Sequence, residues 1–319
     1  TSIKMSDFRT QAQRGVLTGV KKGWSSFVWM GKIIIPVSFL VALLQWSGWL
    51  SQLDFLLNPL MRLINLPPAA ALPIITGMLV NLYAAIAVIT VLPFTPEQMT
   101  LVAVFSLIAH NLIAEGIIQH KSGINVIKTT LFRVSAAVIA VLIVSQFLGD
   151  TSQSVIIPAG LTIQTPFLEV LKTWGMGMIA LLIKIFGIIM VVMVLLESLN
   201  SLGWIDYLLR FFRPLMKVLG LSDRTATLWV TAAAFGLMYS GAVIVEETKK
   251  GILTREETER LHISAGINHA IVEDPALFLA LGLNAFWLWV PKFIMAIVAV
   301  QTYRIINLVG NKIFRLKEE

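Results

Sequence analysis

Apolar residues along this chain of 319 residues gather in eight long runs, near 28–47, 69–92, 98–118, 126–147, 168–197, 225–245, 261–283 and 284–306. At about 1.5 Å per residue, each run is long enough to cross the roughly 30 Å of hydrocarbon in a bilayer. Two stretches between the runs follow a different pattern. Leu53, Leu56, Leu57, Leu60, Leu63 and Ile64 fall on one helical stripe, with Asp54, Asn58, Arg62 and Asn65 elsewhere. Ile205, Leu208, Leu209, Phe212, Leu215, Met216 and Leu219 repeat that arrangement among Arg210, Arg213 and Lys217. A one-sided stripe predicts a helix lying in the membrane surface, so 50–65 and 205–219 read as interfacial helices.

The likeness of those two stretches is part of a longer internal repeat. Pro59-Leu60-Met61-Arg62-Leu63-Ile64-Asn65-Leu66 recurs 155 residues later as Pro214-Leu215-Met216-Lys217-Val218-Leu219-Gly220-Leu221, each copy preceded by a Gly-Trp pair, Gly48-Trp49 and Gly203-Trp204. Phe94-Thr95-Pro96-Glu97 returns as Leu253-Thr254-Arg255-Glu256, and fifteen residues beyond each threonine stand His110 and His269. In so apolar a chain, a duplication that repeats a histidine and nearby acids points to a transporter built from two halves.

Charge placement decides how many runs cross. If 69–92 and 225–245 are re-entrant hairpins, six full spans remain. Starting inside, Lys and Arg then collect on the cytoplasmic side in every loop, and the outside receives only Arg62. If all eight runs crossed, the loop holding Arg210, Arg213, Lys217 and Arg224 would be external and the Lys- and Arg-free stretch 149–165 internal, against the positive-inside rule. Three spans per half is an odd number, so the halves are predicted to lie with opposite orientation. Pro67, Pro68, Pro73, Gly77 and Asn81 in one hairpin, and Gly236, Ser240 and Gly241 in the other, permit a chain reversal at depth; a kinked spanning helix is the alternative. The expected fold class is therefore an all-α integral membrane protein with an inverted-topology repeat: six spanning helices, two interfacial helices and two re-entrant hairpins. Its divisions would be a basic cytoplasmic segment 1–23, repeats 24–148 and 168–308, an external linker 149–167 and a cytoplasmic tail 309–319.

Composition narrows the function classes. With 57% hydrophobic and 13% charged residues, the chain lacks the polar surface a soluble globule of this length needs. The absence of cysteine removes disulfides, thiolate metal sites and thiol redox chemistry. The net charge of +7 is placed in cytoplasmic loops rather than read as a nucleic-acid surface. No Ala-x-Ala site follows the first run, which reads as a retained helix of a bacterial inner-membrane protein with both termini cytoplasmic. No phosphate loop, nucleophilic triad or zinc spacing occurs, so neither an enzyme nor a cofactor or metal set is predicted.

The run Leu196-Glu197-Ser198-Leu199-Asn200-Ser201-Leu202-Gly203-Trp204, continuing through Pro214-Leu215-Met216 to Gly236-Leu237-Met238-Tyr239, resembles the nucleoside-recognition, or Gate, domain. Ser47-Gly48-Trp49 through Gly77-Met78-Leu79-Val80-Asn81-Leu82-Tyr83 is similar to a more diverged copy. Such domains occur in spore maturation proteins A and B and in ferrous iron transporter B, and they are similar to the core of concentrative nucleoside transporters. The resemblance implies an interfacial helix followed by a hairpin, and an oligomer. The iron transporter's cysteines have no counterpart here, which argues against thiolate-assisted iron transfer.

The chemistry is expected in the helices carrying the repeated histidines. His110, Glu115, His269, Glu273 and Asp274 are assigned to proton or ion coupling, because ionisable groups at membrane depth cost about 2.5–3.5 kcal/mol each and need a cavity, partner or cation. His269 and Glu273 are expected on one helical face, as are Asn111 and Glu115, with Asp274-Pro275 interrupting its helix. The competing reading is that His269 and Glu273 pair with each other or with Asn284 to fix packing. Asn81, Tyr83, Asn111, Tyr239, Ser240 and Asn268 are assigned to substrate. Lys32, Lys172 and Lys292 are expected to snorkel, Lys184 to need a partner, and Trp24, Trp29, Trp46, Trp49, Trp174, Trp204, Trp287 and Trp289 to anchor segment ends. The function expected is proton-coupled secondary transport of a polar or anionic small molecule, nucleoside-like in the light of the resemblance. A divalent-cation or lipid-linked substrate and a non-transporting assembly protein are the alternatives. The partners expected are the small-molecule substrate, membrane lipid and further copies of the chain.

Overall fold

The computed structural model describes residues 2–49, 58–152 and 166–318, and every described element is helical. Residues 50–57 of the expected interfacial helix and most of the linker 149–167 lie outside the described residues, and 58–62 is helical. In chain order the helices are α1 (Ser2–Trp46), α2 (Ala71–Leu79, entered through a 3₁₀ turn at Pro68–Ala70), α3 (Leu82–Ile89), α4 (Pro96–Ala109), α5 (Leu112–Lys121), α6 (Val126–Ser145) and α7 (Phe167–Ser201). They continue with α8 (Ile205–Val218), α9 (Asp223–Phe235), α10 (Leu237–Lys249), α11 (Arg255–Asn268), α12 (Glu273–Leu279) and α13 (Ala285–Glu318). Five segments among the described residues are long and apolar enough to cross a membrane: Phe8–Trp46, Pro96–Lys121, Val126–Ser145, Phe167–Ser201 and Ala285–Val309. The chain is a multi-pass, all-α membrane protein. The sixth expected span, 261–283, is instead two helices, because α11 stops before His269 and α12 starts at Glu273.

α1 and α7 lie antiparallel, packed through glycines. Added Cβ atoms on Gly15 and Gly19 would meet the backbone of Ser198 at 2.7 Å and of Val194 at 2.5 Å, and one on Gly23 would meet the Met190 sulfur at 2.7 Å. Small residues let helix backbones approach where lipid offers no hydrophobic drive toward association. At one end of the pair, Lys22 reaches Glu197 at 2.6 Å.

The chain reverses between α2 and α3. Val80 ends α2, Asn81 is extended and caps α3 by accepting from the Ala84 N–H, and a Cβ on Gly77 would come within 3.1 Å of the Ala85 Cβ. Eight residues of continuous helix would separate that pair by about 12 Å. α9 and α10 meet at Gly236, whose φ of +81° glycine tolerates best.

α4 and α11 run through the middle of the molecule, where every residue from Thr100 to Ala109 and from Leu261 to Asn268 is buried. Each begins with a capping box, Thr95 with Gln98 and Thr254 with Glu257. The Thr254 backbone N–H also holds the Glu257 carboxyl below the usual carboxylate range. Each helix ends in the same conformational pair: an extended histidine followed by a residue with positive φ, Asn111 at +57° and Ala270 at +45°.

Candidate functional site

Two helix interruptions meet at the centre of the molecule, and each exposes backbone groups that must find partners away from water. In the first half the Asn111 N–H donates to the Gly77 carbonyl at 2.8 Å; in the second, Ala270 donates to the Ala232 carbonyl at 3.1 Å. Each break is thereby tied to the helix before the preceding turn, α2 or α9. Ile271 adds a bond to the Ala233 carbonyl at 2.7 Å. The freed carbonyls are taken by cations. Arg133 of α6 donates to Ile108 O at 3.1 Å and His110 O at 3.0 Å, and Lys292 of α13 donates to His269 O at 3.0 Å. Trp289 donates its indole N–H to Ile271 O at 2.8 Å.

The histidines face one another. His110 Nδ1 lies 2.7 Å from Ser106 O and His269 Nδ1 lies 2.9 Å from Gly266 O. A carbonyl can only accept, so both Nδ1 atoms donate and both Nε2 atoms point inward, 3.0 Å apart. The acids cross between halves: His269 Nε2 is 3.4 Å from Glu115 Oε1, and His110 Nε2 is 3.4 Å from Asp274 Oδ2. Glu115 offers its other oxygen to Arg133 Nη1 at 2.6 Å. These five side chains, and that of Lys292, are all buried.

A cavity of about 150 Å³ adjoins the cluster. Asn81, Tyr83, His110, Asn111, His269, Glu273 and Asp274, seven of the residues singled out from sequence, line it, with Trp29, Leu82, Gly236, Leu237 and Ala270 completing the wall. Tyr83 donates to Glu273 at 3.1 Å and stacks edge-on against Trp29, which is thus more than an interfacial anchor. A larger groove of about 330 Å³, between Trp46 and Trp174, carries no charged side chain.

Several expectations change. His269 and Glu273 do not share a helical face, because four irregular residues separate α11 from α12 and Glu273 pairs with Tyr83 instead. The break precedes Pro275, which sits in the first turn of α12 where its missing N–H costs little. Asn111 ends the interruption that Glu115 follows, so Asn111 faces the cavity while Glu115 lies behind it against Arg133. Ser240 spends its hydroxyl on Gly236 O at 2.9 Å and Asn268 is fully buried; neither lines the cavity. The side chain of Tyr239 lies outside the described residues. Lys292 is buried at the centre rather than snorkelling, and Lys184 is exposed on α7. Arg133, which sequence reasoning passed over, proves central. The signal was present: Arg133 and Lys292 stand 159 residues apart, the spacing of His110 and His269 and of Glu115 and Asp274.

Residues 27–151 and 182–272 match the Gate family, described as nucleoside recognition. The matched segments take in both histidines, Gly77, Asn81 and Gly236. The uncharacterized membrane protein YvoD of Bacillus subtilis (strain 168) is 28% identical to the chain over 274 residues, covering 84% of this chain and 86% of that protein. No solved structure matches the chain. With well over half of its length matched, including the residues that break α4 and α11 and face each other across the centre, the chain belongs to the Gate, or nucleoside recognition, family of membrane proteins.

Proposed function

We propose that this chain is a secondary transporter, not an enzyme, that moves a small polar or anionic solute through the central cavity by alternating access between two inverted repeats. The observation that carries this reading is the cavity itself: a pocket walled by the α2–α3 and α9–α10 turns and by both helix breaks, beside charged groups paired across the halves. Broken helices meeting at mid-membrane are the recurring construction of solute sites in secondary transporters.

Inversion is supported by matched backbone features. Positive φ recurs at Gly48 and Gly203, Asn65 and Gly220, Asn111 and Ala270, and Gly123 and Gly282, each pair 155 or 159 residues apart. The helices α1 and α7, which end just before the first of these pairs, lie antiparallel, as an in-plane two-fold axis requires. In this reading six passages and two re-entrant hairpins place both termini in the cytoplasm of a bacterial inner membrane.

Protons are the coupling ion we assign. With both Nδ1 atoms committed to carbonyls, the two Nε2 atoms at 3.0 Å make a hydrogen bond only when one carries an added proton. The cavity volume bears on the solute: about 150 Å³ is below the roughly 300–1,000 Å³ of pockets enclosing drug-sized ligands. A solute of few heavy atoms fits the cavity as it stands, and a nucleoside needs it to widen.

Reconstitution into proteoliposomes tests this. Uptake of small organic anions or nucleosides that rises with an imposed pH gradient and is lost in Asp274→Asn supports the reading. Absence of gradient-driven uptake for every class, in vesicles where the protein is folded, overturns it.

A further inference from the structure

We propose that His110 Nε2, His269 Nε2 and Asp274 Oδ2 form a binding site for a divalent transition-metal ion of the zinc class, with Glu115 Oε1 facing it as an outer carboxylate. Binding at this site stands or falls separately from transport.

The donor spacings suit one ion. Metal–ligand distances of about 2.0–2.1 Å place neighbouring ligands of a tetrahedron about 3.3 Å apart. Here Nε2 to Nε2 is 3.0 Å, His110 to Asp274 3.4 Å and His269 to Asp274 3.9 Å. The ligand atoms of His110, His269 and Asp274 lie within 4.8 Å of one another. Two imidazoles and a carboxylate, with a fourth position left for water, are a donor set for borderline divalent ions.

Orphaned atoms point the same way. Glu115 Oε1 and Asp274 Oδ2 are buried without a hydrogen-bond partner, a costly arrangement at depth unless something cationic sits between them. The outer shell is also in place. Ligating histidines almost always donate their second ring N–H to a carbonyl or carboxylate, and both Nδ1 atoms here donate to backbone carbonyls of their own helices. Arg133 fixes the rear oxygen of Glu115, leaving the front one free.

Arg133 and Lys292 limit affinity. With both beside it, the loaded cluster is net positive, so the ion is expected to exchange rather than act as a permanent staple. A bound ion uses both Nε2 lone pairs and excludes the shared proton. Sequence spacing hid such a site because its donors come from two broken helices 159 residues apart.

The test is titration of the purified, chelator-stripped full chain with Co²⁺, whose visible absorption is intense only in tetrahedral coordination. The result expected is saturation at one ion per chain, displacement by Zn²⁺, at least tenfold weaker binding in His269→Gln, and unchanged binding when the exposed His120 is replaced by alanine. X-ray absorption on the Zn²⁺-loaded unaltered chain supplies a reading independent of how the variant folds, with imidazole scattering expected from two ligands. Binding that does not saturate, that His120→Ala removes, or that shows no imidazole ligands overturns the proposal.

Discussion

Arg133 holds the Glu115 carboxylate at 2.6 Å with neither side chain exposed, and it also grips the Ile108 and His110 carbonyls where α4 breaks off. Removing one member of a buried pair strands the other, at a cost of about 3–5 kcal/mol. Arg133→Met is therefore expected to destabilise the chain by about that amount, and Arg133→Met with Glu115→Leu by clearly less than the two single changes summed. Reversible unfolding in mixed micelles measures the cycle; additive losses would show that the two charges do not support each other.

The α1–α7 contact makes a differential prediction about glycine. A Cβ at Gly19 would stand 2.5 Å from the Val194 Cα, which is backbone and cannot swing aside, while one at Gly31 meets nothing within 4 Å. Gly19→Ala should force the helices apart and cost about 1–3 kcal/mol. Gly31→Ala, which only improves helix propensity, should be neutral or slightly stabilising. Thermal unfolding of the two variants side by side gives the answer, and equal Tm values would contradict the packing described.

Ala270 occupies the left-handed region at φ +45°, which costs an alanine about 1–2 kcal/mol. Ala270→Gly removes that strain and gives back about 0.5–1 kcal/mol through the freer unfolded chain. A net gain of about 0.5–1 kcal/mol is expected, seen as a raised Tm. At Asn111, where φ is +57°, asparagine already tolerates the conformation, and Asn111→Gly should change stability less.

The two capping boxes differ in one chemically useful way: Gln98 closes the first and Glu257 the second. The Glu257 carboxyl is held below its ordinary value by the Thr254 N–H. Its contribution is thus present above the unfolded carboxylate range and is lost as pH falls through the lower folded value. Acidification from pH 7 to about pH 3 should lower amide-exchange protection in the first turn of α11 by roughly fivefold, the equivalent of about 1 kcal/mol for a cap. The first turn of α4, closed by an uncharged amide, should keep its protection once intrinsic rates are normalised.

Much of the architecture was legible because a bilayer selects on local properties. Length and apolarity marked α1, α6, α7 and α13 as crossings. The repeat spacing drew attention to His110 and His269 and to the acids after them. The places where α4 and α11 stop were misjudged, since neither holds a proline or glycine at the interruption. Asn111 and Ala270 adopt positive φ because Gly77 and Ala232 wait to accept their N–H groups and because Arg133 and Lys292 neutralise the carbonyls set free.

Sequence alone thus determined that this is a membrane protein, that α1, α6, α7 and α13 are long and apolar enough to cross, and that histidine and acid recur at one spacing, because these follow from the order and character of residues along the chain. Only the tertiary structure decided that His110 pairs with Asp274 and His269 with Glu115, that Glu273 belongs to Tyr83, and that Arg133 rather than a loop cation stands at the centre. Those partners come from helices more than a hundred residues apart in most cases, and what brings them together is the need to satisfy every charge and freed backbone group where no water can reach.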